Sequence, residues 1–220
     1  MSKKNISQEK IIQAFISSAF EKSAGATSLS DISEILEIKK ASLYNHFESR
    51  DSMYEATLEF CSQEIAKAGL LQENSLEQIK SPKCTLSSFF KKQITHFFEI
   101  YENEPLFQMY VFVHSEQYFN LNALNTVQKE VEKLCDEVKT VLKAFADCKK
   151  IKSKTEKELR ELSSGICNII LQQRDLSIAA RKETVRQNPE SGVGSLFALP
   201  ADEASINRTL KMLDFYLKDL

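Results

Sequence analysis

Apolar residues recur at helical spacing along almost the whole chain. Between Gln8 and Lys22 they fall at Ile11, Ile12, Phe15, Ile16, Ala19 and Phe20, one face of a helix. The small-residue run Ser23-Ala24-Gly25-Ala26 breaks it. Ser28 then stands where an N-cap belongs, with Asp31 three residues on as an approximate capping box. Ile32, Ile35 and Leu36 supply the apolar face of that second helix. Glu37-Ile38-Lys39 reads as a tight turn into a short third helix carrying Leu43, Tyr44 and Phe47. A fourth helix is predicted from Arg50 or Asp51 towards Ala68, burying Met53, Leu58, Cys61 and Ile65.

Beyond it, Gly69 to Lys83 reads as a connector. Leu86, Phe89, Phe90, Ile94, Phe97, Phe98 and Tyr101 mark the next helix, and Pro105 restarts a short one to about His114. Leu124, Val127, Val131, Leu134, Val138, Val141 and Phe145 alternate at three and four, an unbroken seam on a helix from about Leu121 to Cys148. At 1.5 Å per residue it is about 42 Å long. The seam suits either the core of one chain or a coiled-coil interface. Two further helices follow, Thr155 to about Arg186 and Asp202 to Leu220, separated by Asn188 to Ala201 with its Pro189, Gly192, Gly194 and Pro200.

Composition sharpens the class. The chain holds five Gly and four Pro, where average usage in 220 residues predicts roughly 26 together. Hairpins and barrels need those residues at their turns, so the prediction is an all-α fold. The net charge is −2, with no basic excess overall. No apolar run approaches the ~20 residues of a membrane span, and Met1-Ser2-Lys3-Lys4-Asn5 has no apolar stretch behind it. The five cysteines, Cys61, Cys84, Cys135, Cys148 and Cys167, show no CxxC spacing and read as reduced thiols of a cytoplasmic protein. His96 and His114 lack metal-ligand spacing, so neither a metal nor a cofactor is expected.

Two short helices joined by a three-residue turn have the layout of a helix-turn-helix. The run Thr27-Ser28-Leu29-Ser30-Asp31-Ile32-Ser33 and above all Leu43-Tyr44-Asn45-His46-Phe47 with Ser49-Arg50-Asp51 resemble the N-terminal domain of the TetR family of transcriptional repressors. The resemblance covers residues 8 to about 65 by motif. Two positions depart from the family pattern. Glu37 stands where the turn usually has Gly, at a strain of about 1 kcal/mol if φ is positive, and Lys39 stands where a small Ser is usual.

The resemblance implies a helix-turn-helix DNA-binding domain over residues 1–50 (motif about 28–47) and a larger helical effector-binding and dimerisation domain over 51–220. Residues 1–52 carry seven Lys/Arg against seven Asp/Glu, but the cations gather in the N-terminal arm and at the start of the third helix. Side-chain chemistry gives Lys39 and Lys40 phosphate contacts, or Lys40 a guanine edge. Ser42 and Asn45 can bond base edges or phosphate, and Ala41 lets the helix approach. Thr27 and Ser28 sit at a helix N-terminus suited to phosphate. By resemblance Tyr44 and His46 touch the DNA backbone. Lys3 and Lys4 could reach the minor groove or phosphates.

Ten of the 20 aromatics fall in the 31 residues from Phe89 to Phe119. Most must be core. By resemblance this region also holds a small, largely apolar effector, with Phe89, Phe97, Tyr101, Phe107, Tyr110, His114 and Gln172 as lining and Arg174 a further polar candidate. The resemblance further implies a homodimer through the last two helices, bound to a palindromic double-stranded operator and released by the effector. Two other readings stay open. One is a helical interaction scaffold that has lost DNA binding. The other is a helical enzyme, for which scattered His and isolated Cys offer no clustered chemistry.

Overall fold

The computed structural model describes residues 6–188, 199–218 and 220. Lys3, Lys4 and most of the 188–201 connection lie outside the described residues. Within them run α1 (Gln8–Lys22), α2 (Leu29–Ile35), α3 (Lys40–Leu43), α4 (Arg50–Lys67), α5 (Leu86–Glu102), α6 (Leu106–Glu116), α7 (Leu121–Asp147), α8 (Glu156–Gln187) and α9 (Glu203–Leu217). No described residue is in a strand.

The chain divides into two compact units, Met1–Lys67 with Pro105–Gln128 and Ala68–Glu104 with Lys129–Leu220. In the first, α1 packs on α2, α4 and α6, and α4 packs on α6. Its core joins Ile11, Phe15 and Ile16 of α1 to Ile32, Leu43, Met53, Leu58 and Cys61, and to Phe112 and Val113 of α6. Phe15 meets Phe112 edge-on at 6.2 Å between ring centroids, an arrangement favoured by the ring quadrupoles. One expected core residue turns outward: Ile35 is half exposed. It is the last residue of α2, and the chain turns away directly after it.

In the second unit α8 packs on α9, and α5 packs on both. Phe90, Ile94, Phe97, Phe98 and Tyr101 of α5 are buried, as are Val138, Val141, Leu142 and Phe145 of α7 and Ile166, Cys167 and Ile170 of α8. The C-terminal part of the α7 seam therefore lies in the core of a single chain. The stretch read as a connector holds a 3₁₀ helix, Ser75–Lys80, with Ser75 and Ile79 buried. Side chains from distant helices fasten its approach: Leu70 N–H donates to Glu137 Oε2 at 2.7 Å, and Gln72 N–H to Gln93 Oε1 at 3.0 Å. The Lys133 ammonium reaches the Ala68 carbonyl at 2.6 Å.

Candidate nucleic-acid interface

The interface is built from the α2–turn–α3 segment. Ser28 Oγ accepts from Asp31 N–H at 3.3 Å while Asp31 Oδ2 accepts from Ser28 N–H at 2.7 Å, a complete capping box. Lys22 pairs with the other Asp31 oxygen at 2.6 Å. That ion pair, then the Ser28 bonds, hold the Asp31 carboxyl well below the usual carboxylate range.

At the other end of α2, Ile38 N–H donates to Ser33 O at 2.9 Å and Glu37 N–H to Glu34 O at 3.0 Å. These are the paired bonds of a Schellman motif, which needs a left-handed residue where Glu37 stands. Glu37 adopts φ 55°, so the strain expected from the sequence is present.

The turn delivers Lys39 and Lys40 to the start of α3. Lys39 makes no side-chain capping bond, and α3 has no acidic residue in its first turn. Two cations at a helix N-terminus oppose the helix dipole by some tenths of a kcal/mol each.

Leu43 and Phe47 are buried and anchor α3 to the first unit's core. Around them Lys39, Lys40, Ala41, Tyr44 and Asn45 are exposed, with Ser42 and His46 half-buried. Seven of the nine residues assigned to DNA thus form one run along α3 and the turn after it. Ser28 is exposed too, although its hydroxyl serves the capping box by donating to Asp31 Oδ2 at 2.7 Å. Thr27 departs from the expectation. Its side chain is 1% exposed and its hydroxyl donates to Ser23 O at 2.9 Å, so it holds the α1–α2 loop and leaves the contact set.

Comparison with known proteins fits this geometry. Residues 11–57 match the family described as bacterial regulatory proteins, tetR family. The biofilm operon icaADBC HTH-type negative transcriptional regulator IcaR of Staphylococcus aureus (strain Newman) is 29% identical over 140 residues, spanning 60% of this chain and 71% of that protein. IcaR of Staphylococcus epidermidis is 41% identical over 54 residues, 24% of this chain and 29% of that one.

Over residues 11–57 the chain carries the N-terminal domain of the tetR family. Solved TetR regulators share the fold over nearly the full length. One from Haloarcula marismortui has TM-score 0.59 at 11% identity over 96% of each chain. One from Legionella pneumophila has TM-score 0.54 at 20% identity over 99% of this chain and 100% of that one. The matched relatives are named as negative transcriptional regulators, none as an enzyme.

The residues assigned to a TetR-type effector site divide between the units. Phe107, Tyr110 and His114 lie in the first, where Phe107 packs edge-on against Phe20 at 5.2 Å and Tyr110 stacks on His114 at 3.7 Å. Phe89, Phe97 and Tyr101 are buried in the second. Gln172 is exposed, and the glutamine that α8 turns inward is Gln173.

A buried ionic network stands beside the second group. Arg174, 1% exposed, donates from Nη1 to Glu130 Oε1 at 2.6 Å, and the Tyr101 hydroxyl donates to the same oxygen at 2.6 Å. The guanidinium lies 4.7 Å from the Tyr101 ring centroid and 5.3 Å from that of Phe97. Among the described residues, no cluster of three His, Cys, Asp or Glu could hold a metal ion, and no helix is long and apolar enough to cross a membrane.

Proposed function

We propose that the chain is a homodimeric, cytoplasmic repressor that binds a palindromic operator and is released by a small, largely apolar effector. The observation that carries the DNA assignment is the exposed run from Lys39 to Asn45, mounted on buried Leu43 and Phe47. Repression is supported by the name of the IcaR relatives, negative transcriptional regulators. Each protomer offers one short α3 to a major groove, and a two-fold dimer offers two to half-sites about one helical turn apart.

Dimerisation through α8 and α9 is supported by apolar side chains left exposed there: Leu176 on α8, and Met212, Phe215 and Tyr216 on α9. The effector reading narrows to the second unit, with Phe89, Phe97 and Tyr101 as apolar lining. It is supported by two buried polar atoms that have no hydrogen-bond partner among the described residues, Gln93 Nε2 and Gln173 Oε1, groups a ligand can satisfy. Effector binding to a state whose two α3 helices are mis-spaced for DNA lowers operator affinity by differential binding.

Selection of bound duplexes from a random pool tests the reading. It predicts a palindromic sequence with half-sites one helical turn, or a multiple of one, apart. Recovery of no duplex at low salt would support the scaffold instead.

A further inference from the structure

Arg50, the first residue of α4, carries a formal charge near the DNA-facing elements, yet the structure turns its fork inward. Its Nε donates to Thr27 O at 2.9 Å and its Nη2 donates to Ala24 O. The guanidinium carbon lies 5.5 Å from the Phe15 ring centroid, and Nη1 lies 3.5 Å from Asp51 Oδ1. The side chain is 30% exposed.

The topology gives these bonds a purpose. Thr27 immediately precedes Ser28, the N-cap of α2, and Arg50 immediately follows the stretch that carries α3. The whole helix-turn-helix, residues 28–49, is thus a loop of chain whose two ends are joined by one guanidinium. The reciprocal Ser49–Ser52 bonds, 3.0 Å each way, cap α4 at the same place. The buried Thr27 hydroxyl on Ser23 O tightens the loop that Arg50 grips.

We infer that Arg50 is a positioning residue for DNA recognition: it closes the helix-turn-helix and fixes α2 and α3 relative to α4, and it does not bind phosphate. The inference rests on the DNA-binding reading above. A planar fork reaches two carbonyls at once, whereas a lysine ammonium keeps the charge and loses the fork.

The test compares Arg50→Lys and Arg50→Gln with the parent protein. The probe is the duplex recovered from the random pool, titrated by fluorescence anisotropy over a range of salt. Both variants are expected to lose about tenfold in affinity, to a similar degree, with the slope of log K against log salt unchanged. Two results would overturn the inference. One is a lysine variant that binds like the parent while the glutamine variant loses about 0.9 of slope per protomer, the signature of a phosphate contact. The other is parental affinity in both.

Amide hydrogen exchange on the free protein separates this from failure of the DNA reading. Both variants are expected to raise exchange across residues 28–36 by at least tenfold, with the α6 amides unchanged. Unchanged exchange over 28–36 would overturn the inference whether or not any duplex is bound. Raised exchange in a protein that binds no duplex would leave Arg50 as a structural clamp and overturn both its role in recognition and the DNA reading.

Discussion

Replacing Arg174 by Met tests whether the buried network in the second unit is an integrated electrostatic unit. The substitution keeps an unbranched, apolar stem of similar length and removes the guanidinium bonded to Glu130 at 2.6 Å. Glu130 is 8% exposed, so water cannot replace the guanidinium without local opening. The Tyr101 hydroxyl remains as a donor at 2.6 Å, but a neutral hydroxyl does not cancel a buried charge. Breaking a buried pair from one side costs about 3–5 kcal/mol. In a chain of this size each kcal/mol lowers Tm by about 2–4 °C, so the fall should be about 6–20 °C.

Glu130→Gln on top of Arg174→Met removes the buried carboxylate charge and keeps an acceptor for Tyr101. The double variant should stand within about 1–2 kcal/mol of the parent protein, because replacing both charges is often nearly neutral. Urea unfolding at one fixed protomer concentration reads all three stabilities, since dimerisation would otherwise shift the midpoints. A loss below about 1 kcal/mol in Arg174→Met, or a double variant no more stable than the single, would refute the reasoning.

Further outcomes follow from individual sites. Glu37→Gly relieves a left-handed residue and should raise stability by up to about 1 kcal/mol in thermal unfolding, offset in part by the freedom Gly gains in the unfolded chain. Burial pushes the Glu102 and Glu137 carboxyls above their ordinary value of 4.5, so in this range the native state binds more protons than the unfolded one. Their contribution to stability is therefore greatest below about pH 4.5 and is lost as pH rises through the raised values. Urea unfolding from pH 5 to 8 should show a flatter dependence in Glu102→Gln/Glu137→Gln. Phe215, 79% exposed on α9, should be needed for self-association, and Phe215→Asp should shift sedimentation from dimer to monomer with α-helical content retained.

Local signals suffice wherever neighbours in sequence decide the structure. The spacing of Ile11 to Phe20 predicts α1 with the bounds found, and the Ser28–Asp31 box and the left-handed Glu37 are short-range effects visible in a few residues. What escaped depends on distant partners. The Ser75–Lys80 helix lies in a stretch fastened by Gln93 and Glu137, which no local pattern reveals. Thr27 looks like a helix-terminal phosphate contact until the fold buries it beside the Arg50 fork. Gln172, a lining candidate by resemblance, is exposed, whereas the neighbouring Gln173 and the other candidate Arg174 turn inward, a difference of one position that the helix's packing decides. The motif Ser49-Arg50-Asp51 flagged Arg50, while the direction of its side chain needed the carbonyls of Ala24 and Thr27 in place.

In the proposed function, exposed cations at the head of α3 hold the protein on DNA. The most direct test is the salt dependence of operator affinity for the parent protein and for Lys39→Ala/Lys40→Ala. If both lysines of both protomers bind phosphate, four contacts vanish and the slope of log K against log salt should fall in magnitude by about 3.6. The parental slope in Lys39→Ala/Lys40→Ala would show that these two lysines bind no phosphate.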